Sequence, residues 1–343
     1  MSALQAVKCM GRKALYHSGV WGLYHRVRNR QALTVLMFHR VLPADDPAFA
    51  LAEREFTFTL EGFRRALDFV QRHYHVVTLR QLAADREQGQ PLPPNPVLIT
   101  FDDGWRDTVV HALPELQRRS LSALLFVAWD AINQHPERWW QDALVSAMAQ
   151  PGVRARLCER AGWPAQDADR ADVHRRLSAW MAGLPHEARV AALRAGAPGV
   201  WEAVSKRQMI NVDELDAWLK AGMEVGSHGM SHAPLTHCDK ARGELQASLA
   251  HLKLNAPGMP ANLSFPHGDL TPGLAHEASQ AGYQWLFTSD AHLCEWPPKV
   301  AAAPLIGRIH LPENEWTCDS DRVNFSRLAG FLFARPLCPV SSA

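Results

Sequence analysis

The chain has 343 residues, 47% of them apolar and 21% charged, with a formal net charge of +1. Those values fit a globular protein long enough to bury a large core, as one large domain with insertions or as two small ones. A whole-molecule charge near zero argues against nucleic acid or a strongly acidic partner. Cys9, Cys158, Cys238, Cys294, Cys318 and Cys338 form no Cys-x-x-Cys pair. They read as reduced thiols, which points to the cytosol. No stretch is apolar for long enough to predict a transmembrane helix.

Residues 1–30 carry Lys8, Arg12, Lys13, Arg26, Arg28 and Arg30 and no acid, with Leu4, Val7, Leu15, Trp21, Leu23 and Tyr24 among them. A signal peptide needs an unbroken apolar stretch and a small-residue cleavage site, and neither is here. A basic amphipathic segment of this kind lies peripherally on an anionic membrane, in this case the inner face, or packs on the protein's own back. Both readings stay open. Residues 31–343 form the globular domain.

Leu33–Phe38 is a continuous apolar run, the pattern of a strand buried on both faces, with His39 and Arg40 at its end. Phe63, Leu67 and Val70 mark a helix, Val76–Leu79 a short strand, and a proline-rich loop runs to Pro96. Val97, Leu98 and Ile99 then lead into Thr100-Phe101-Asp102-Asp103-Gly104. A regular strand would send the two carboxylates to opposite faces. At a strand end the chain can bend, and Gly104 permits it. Two acids so placed can divide the work, one binding a metal and one moving a proton. The same residues also describe a common turn.

A helix over 107–119 and a strand over Leu124–Val127 continue a strand–helix–strand rhythm that argues for parallel strands. The rhythm stops between about Asn133 and Lys206, where Ala, Arg, Trp and Leu recur at helical spacing. This is a helical insertion, opened by Trp139-Trp140-Gln141-Asp142. Trp140 could line a sugar subsite or pin the insertion to the barrel. Helices over Val212–Ala221, Lys240–Leu254 and Pro272–Ala281 follow, with strands near Met223–Ser227, Ala261–Phe265, Trp285–Thr288 and Leu305–Leu311. The tail from Asn324 reads as helical.

His228 and His232 are four apart, but Gly226, Gly229 and Pro234 disfavour a helix, so they sit where a strand turns into a loop. Two imidazoles and one carboxylate make a three-ligand site with an open position for water, and Asp103 is the obvious third ligand.

With these residues in view, the sequence resembles the polysaccharide deacetylases that share the NodB homology domain, a carbohydrate esterase group. Thr100–Gly104 is similar to the family's first motif, His228–His232 to its H-x-x-x-H motif, and Ser264-Phe265-Pro266-His267-Gly268 to its proline motif. Val35–Val41 is similar to the opening strand of bacterial members tied to exopolysaccharide synthesis. The resemblance spans roughly residues 33–312. It implies a distorted (β/α)7 barrel and hydrolysis of the acetamide of an N-acetylhexosamine, in a polysaccharide, an oligosaccharide or a lipid-linked sugar. It also implies a divalent metal, first Zn²⁺, with Co²⁺, Ni²⁺ or Mn²⁺ as alternatives, held by Asp103, His228 and His232.

In the resemblance Asp102 is the general base, and the oxyanion lies near the backbone after Pro266, at His267. The proton donor to the amine is His310 or His39. Two departures stand out. Ser264 occupies the position of an Arg that pairs with the base, and Arg308, on the same strand face as His310, is the candidate to replace it. Gly229 stands where the family carries Ser or Thr. Competing readings are a non-catalytic carbohydrate-binding relative and a deacylase of another amide, such as a formamido sugar.

Overall fold

The computed structural model describes residues 3–132, 139–148, 150, 152–162, 170–184, 186–199, 207–238, 240–300, 302–316 and 324–343. Helices α1 (Ala3–His17) and α2 (Val20–Arg28) precede the sheet. Seven strands then lie side by side in chain order, all parallel. They are β1 (Ala32–Phe38), β2 (Pro96–Phe101), β3 (Leu124–Val127), β4 (Glu224–Ser227), β5 (Asn262–Ser264), β6 (Trp285–Phe287) and β7 (Pro304–Ile306). β8 (Ile309–His310) pairs in parallel with Leu36 and Met37 of β1, so the sheet curls back on itself.

Closure is confined to the C-terminal ends of the strands. At the other end, Ala32 and Leu33 of β1 pair antiparallel with Leu293–Glu295, and β7 takes Ser341–Ser342 on its free edge. The expected single last strand over Leu305–Leu311 is therefore broken in two, at Gly307 and Arg308. A Cβ at Gly307 would lie 2.6 Å from the Asp290 carbonyl oxygen, so that close approach requires glycine. The result is an incompletely closed, distorted barrel.

All seven residues of β1 and all six of β2 are buried, as their unbroken apolar runs require. Alternate positions serve two cores. Leu33, Val35, Leu98, Leu124, Phe126 and Phe287 form one, while Leu36, Phe38, Ile99, Phe101 and Leu125 join the larger cluster under the helices. Thr100 and Asp102 follow the Leu98 phase. That phase carries Asp102 toward the barrel's mouth.

The covering helices begin on side-chain caps. Thr59 caps α3 (Leu60–His73), and Thr78 with Gln81 makes a capping box on α4 (Leu79–Gln88). After α5 (Leu113–Arg118) comes the insertion, with α6 (Trp140–Met148), α7 (Val153–Arg160), α8 (Arg170–Ala182) and α9 (His186–Gly196). Its expected limits, Asn133 and Lys206, lie outside the described residues. Its core of Trp139, Trp140, Leu144, Leu157, Leu177 and Leu193 is continuous with Trp105, Ala128 and Met209, which fixes it at the mouth. α10 (Val212–Lys220), α11 (Ala241–Asn255), α12 (Pro272–Ala281) and α13 (Phe325–Phe333) complete the layer.

Candidate active site

Every group of interest follows the C-terminal end of a strand, where parallel α/β sheets assemble their sites. His39 follows β1, Asp102 and Asp103 follow β2, His228 follows β4, the Pro266–Gly268 turn follows β5, and His310 ends β8. Backbone conformation explains how adjacent acids share one pocket. Asp103 itself has φ 75° and Gly104 φ 92°, so the chain reverses at the second acid. The bend expected at Gly104 thus begins one residue earlier, in a conformation that Asp tolerates better than most residues. His232 takes φ 58° for the same reason, at the close of the loop from His228.

Asp103, His228 and His232 bring one ligand atom each within 4.8 Å of one another, the single such group among the described residues. Asp103 Oδ1 lies 3.4 Å from His228 Nε2 and 3.2 Å from His232 Nε2. That oxygen is buried and has no hydrogen-bond partner, an arrangement that would be costly unless a cation sits between the three. His228 Nδ1 contacts the Ser264 carbonyl at 2.8 Å. The carbonyl fixes the Nδ1–H tautomer and leaves Nε2 with a lone pair facing inward. The donor set fits a divalent metal. Burial would push Asp103 up, yet the facing His232 and His228 hold it well below the usual carboxylate range.

Asp102 is 2% exposed and is gripped by Arg308, which is 1% exposed. Arg308 Nη1 donates to Asp102 Oδ1 at 2.6 Å and Nη2 to Oδ2 at 2.8 Å, a two-armed clamp. Nη2 also donates to Ser264 Oγ at 2.8 Å, and Nε donates to the Thr288 carbonyl at 3.1 Å. The small Ser264 thus leaves room for a guanidinium that arrives from the last strand. Burial would raise the Asp102 pKa, but the Arg308 guanidinium outweighs it and holds the carboxyl below its ordinary value.

His39 Nε2 is 4.0 Å from Asp102 Oδ2, and its ring lies 6.0 Å from that of His310. His310 stacks on Phe56 at 5.0 Å, and burial lowers its pKa to about 4. Burial also lowers His39. All of these line a cavity of about 360 Å³, with Trp105, Trp139, Gln141, Phe265, His267 and Gly268 on its other walls.

One residue expected to line a sugar subsite stands elsewhere. Trp140 is fully buried in the insertion core, and its neighbour Trp139 borders the cavity instead. Pro266 is buried, with its ring next to Gly229, while His267 beside it faces the cavity with its ring 4.6 Å from that of His232. Arg308 lies behind Asp102 and does not line the cavity, so it acts on the carboxylate and not on substrate.

Other partners were not singled out from sequence. Trp105 Nε1 donates to Asp103 Oδ2 at 2.8 Å. Arg40 sits 4.1 Å over the Trp105 ring and bonds Asp107 at 2.8 Å. Glu244 accepts from the backbone of Met230 and Ser231, which fixes the loop between the two histidines. From the insertion, the Gln141 amide lies against His232 Nδ1 and donates to the His232 carbonyl at 3.0 Å. Sequence gave one signal: Asp107 lies five residues after Asp102, close enough to return to the same strand end.

A parallel barrel with a buried Asp/His/His cluster and a clamped carboxylate at its mouth defines a class of hydrolytic site. A family model for polysaccharide deacetylase matches residues 89–156 and 194–286, and the unmatched stretch between them lies within the helical insertion. Over those residues the chain is similar to polysaccharide deacetylases, a likeness that supports a deacetylase hydrolase. Among solved structures, the Streptococcus pyogenes deacetylase PplD, in complex with acetate, aligns with a TM-score of 0.58 at 11% identity, over 88% of this chain and 99% of that one. IcaB from Ammonifex degensii aligns at 0.54 and 20% identity, over 89% and 98%. A polysaccharide deacetylase from Bacillus cereus aligns at 0.55 and 13% identity, over 88% and 69%. At these identities the likeness is one of fold. A search of curated proteins found no match.

Proposed function

We propose that the protein is a metal-dependent N-deacetylase that hydrolyses the acetamide of an N-acetylhexosamine, in a cell-surface glycan or its lipid-linked precursor. The observation that carries this reading is the division of labour between adjacent acids. Asp103 faces two imidazoles with an unpartnered oxygen, and Asp102 is turned toward Arg308.

Asp103, His228 and His232 would hold the ion, Zn²⁺ by its taste for imidazole and carboxylate, with Co²⁺, Ni²⁺ or Mn²⁺ as alternatives. When bound, it would polarise the amide carbonyl and lower the pKa of a water toward neutrality. Asp102, ionised by the Arg308 clamp, accepts the proton of the attacking water. His39 Nε2 lies 4.0 Å from that base, so it takes the proton that Asp102 removed from the water and passes it to the leaving amine. His310, on the strand paired with β1, lies beside it. The turn at Pro266 and His267 offers the backbone donor for the acyl oxygen. A cavity of about 360 Å³ lies within the range of small-ligand sites.

The test is acetate release from a panel of N-acetylated glycans, with metal content measured on the same preparation. Acetate release that a chelator abolishes supports the reading. A metal-loaded protein inert to every acetylated glycan would favour a carbohydrate-binding relative. Formate release from a formamido sugar without acetate release would change the amide.

A further inference from the structure

Helix α2 is amphipathic in the wrong sense for a helix that only packs on its own protein. Val20, Leu23, Tyr24 and Val27 fall at i, i+3, i+4 and i+7, one continuous stripe. Their exposures are 51%, 63%, 40% and 71%. The inward face is polar instead. His25 Nε2 meets the His73 carbonyl at the end of α3 at 3.1 Å, and Asn29 donates to the Phe333 carbonyl at 3.0 Å. Arg28 donates to the Phe333 and Arg335 carbonyls at 3.1 and 3.0 Å. These side chains satisfy carbonyls left over where α3 and α13 end. His25, Arg28, Asn29 and the half-buried Trp21 are thus used inside, and the stripe from Val20 to Val27 is left to solvent.

The stripe is not an isolated feature. Six of the nine large exposed hydrophobic residues in the described chain lie between Met10 and Val27. Arg12, Lys13, Arg26 and Arg30 are exposed in the same region, and the chain carries no Asp or Glu before Asp45. On α2, Arg26 is three residues beyond Leu23 and borders the stripe along one edge, and Arg30 follows just past the helix's C-terminal end. Apolar side chains rimmed by arginines suit the headgroup boundary of an anionic bilayer, where the chains enter the acyl edge and the cations meet phosphate. No helix among the described residues is long and apolar enough to cross a membrane.

We propose that α2 seats the protein peripherally on an anionic lipid surface. The stripe lies at the N-terminal end of β1, and the candidate site lies beyond its C-terminal end. Seven residues of strand separate the two by about 20 Å, so seating leaves the cavity mouth open to a glycan.

The test is co-sedimentation of the full chain with phosphatidylcholine vesicles, with and without phosphatidylglycerol. Wild type sediments with the anionic vesicles at low salt and is released at high salt. Arg26→Gln with Arg30→Gln lowers the partition coefficient about thirtyfold, at about fivefold per cation. Leu23→Asp with Val27→Asp abolishes binding while its melting curve stays that of the wild type. Three results would overturn the proposal: wild type left in the supernatant with anionic vesicles, the Asp double variant partitioning as wild type, or a concentration-dependent dimer that this variant dissociates. The last would assign the stripe to a second copy of the chain.

Discussion

Replacing Arg308 by Met removes the clamp on Asp102 at nearly constant volume, and the structure sets the size of the effect. Two charge-assisted bonds at 2.6 and 2.8 Å are lost together. At about 1.5–3 kcal/mol each they amount to about 3–6 kcal/mol, in line with the about 3–5 kcal/mol for leaving one member of a buried pair without its partner. The bonds of Arg308 to Ser264 and to the Thr288 carbonyl vanish as well, which confuses any single-variant number. A double-mutant cycle with Asp102→Asn removes that ambiguity, because those losses occur in both backgrounds and cancel. Urea unfolding of metal-free protein is the assay, so that metal binding adds nothing to the native state. Arg308→Met is expected to cost about 4 kcal/mol beside Asp102 and about 2 kcal/mol less beside the neutral amide. Equal losses in the two backgrounds would refute the clamp as the principal role of Arg308.

Asp103→Ala, His228→Ala and His232→Ala should each lose bound metal and acetate release together; near-normal metal content in all three would remove the ligand assignment. Gln141→Leu should weaken metal affinity about 10–100-fold, the usual cost of freeing a ligand from its outer partner, read by titration of the apoprotein; unchanged affinity would confine the insertion to a wall. Burial lowers His25 to about 4, below its ordinary value of about 6.5. The unfolded chain then takes up a proton that the folded chain refuses, so this stability is complete above about pH 6.5 and is lost as pH falls toward about 4. The loss comes to about 3 kcal/mol. His25→Gln should flatten the acid limb of a plot of unfolding free energy against pH, and parallel curves for the two proteins would sink the argument.

Much of the barrel is legible in the sequence because its strands are unbroken apolar runs and its helices carry their own stops. Thr271 and Gly282 bracket α12 at the expected residues. The broken last strand is not legible, since Gly307 is dictated by the Asp290 carbonyl oxygen, a contact between distant parts of the chain. The Leu293–Glu295, Leu337–Cys338 and Ser341–Ser342 strands are too short to leave a period. At the site, the residues adjacent in sequence were the readable ones. Arg308 was a candidate partner for the base, and its guanidinium lies on Asp102. Gln141, Trp105 and Glu244 reach the site from separate elements and carry no local signal. The paired tryptophans show the limit most plainly. Trp140 opens α6 and Trp139 precedes it, and only the packing of the insertion decides that Trp139 is the one bordering the cavity.

The most direct test of the whole account is Asp102→Asn, assayed for metal content and acetate release on one preparation. The two acids are adjacent and chemically alike, yet Asp103 faces the imidazoles and Asp102 faces Arg308. The amide keeps the shape but cannot take a proton. The expected result is full metal occupancy with turnover lowered about 10²–10⁴-fold and little change in substrate affinity. Undiminished turnover would contradict Asp102 as the base, and loss of the metal would make it a ligand instead.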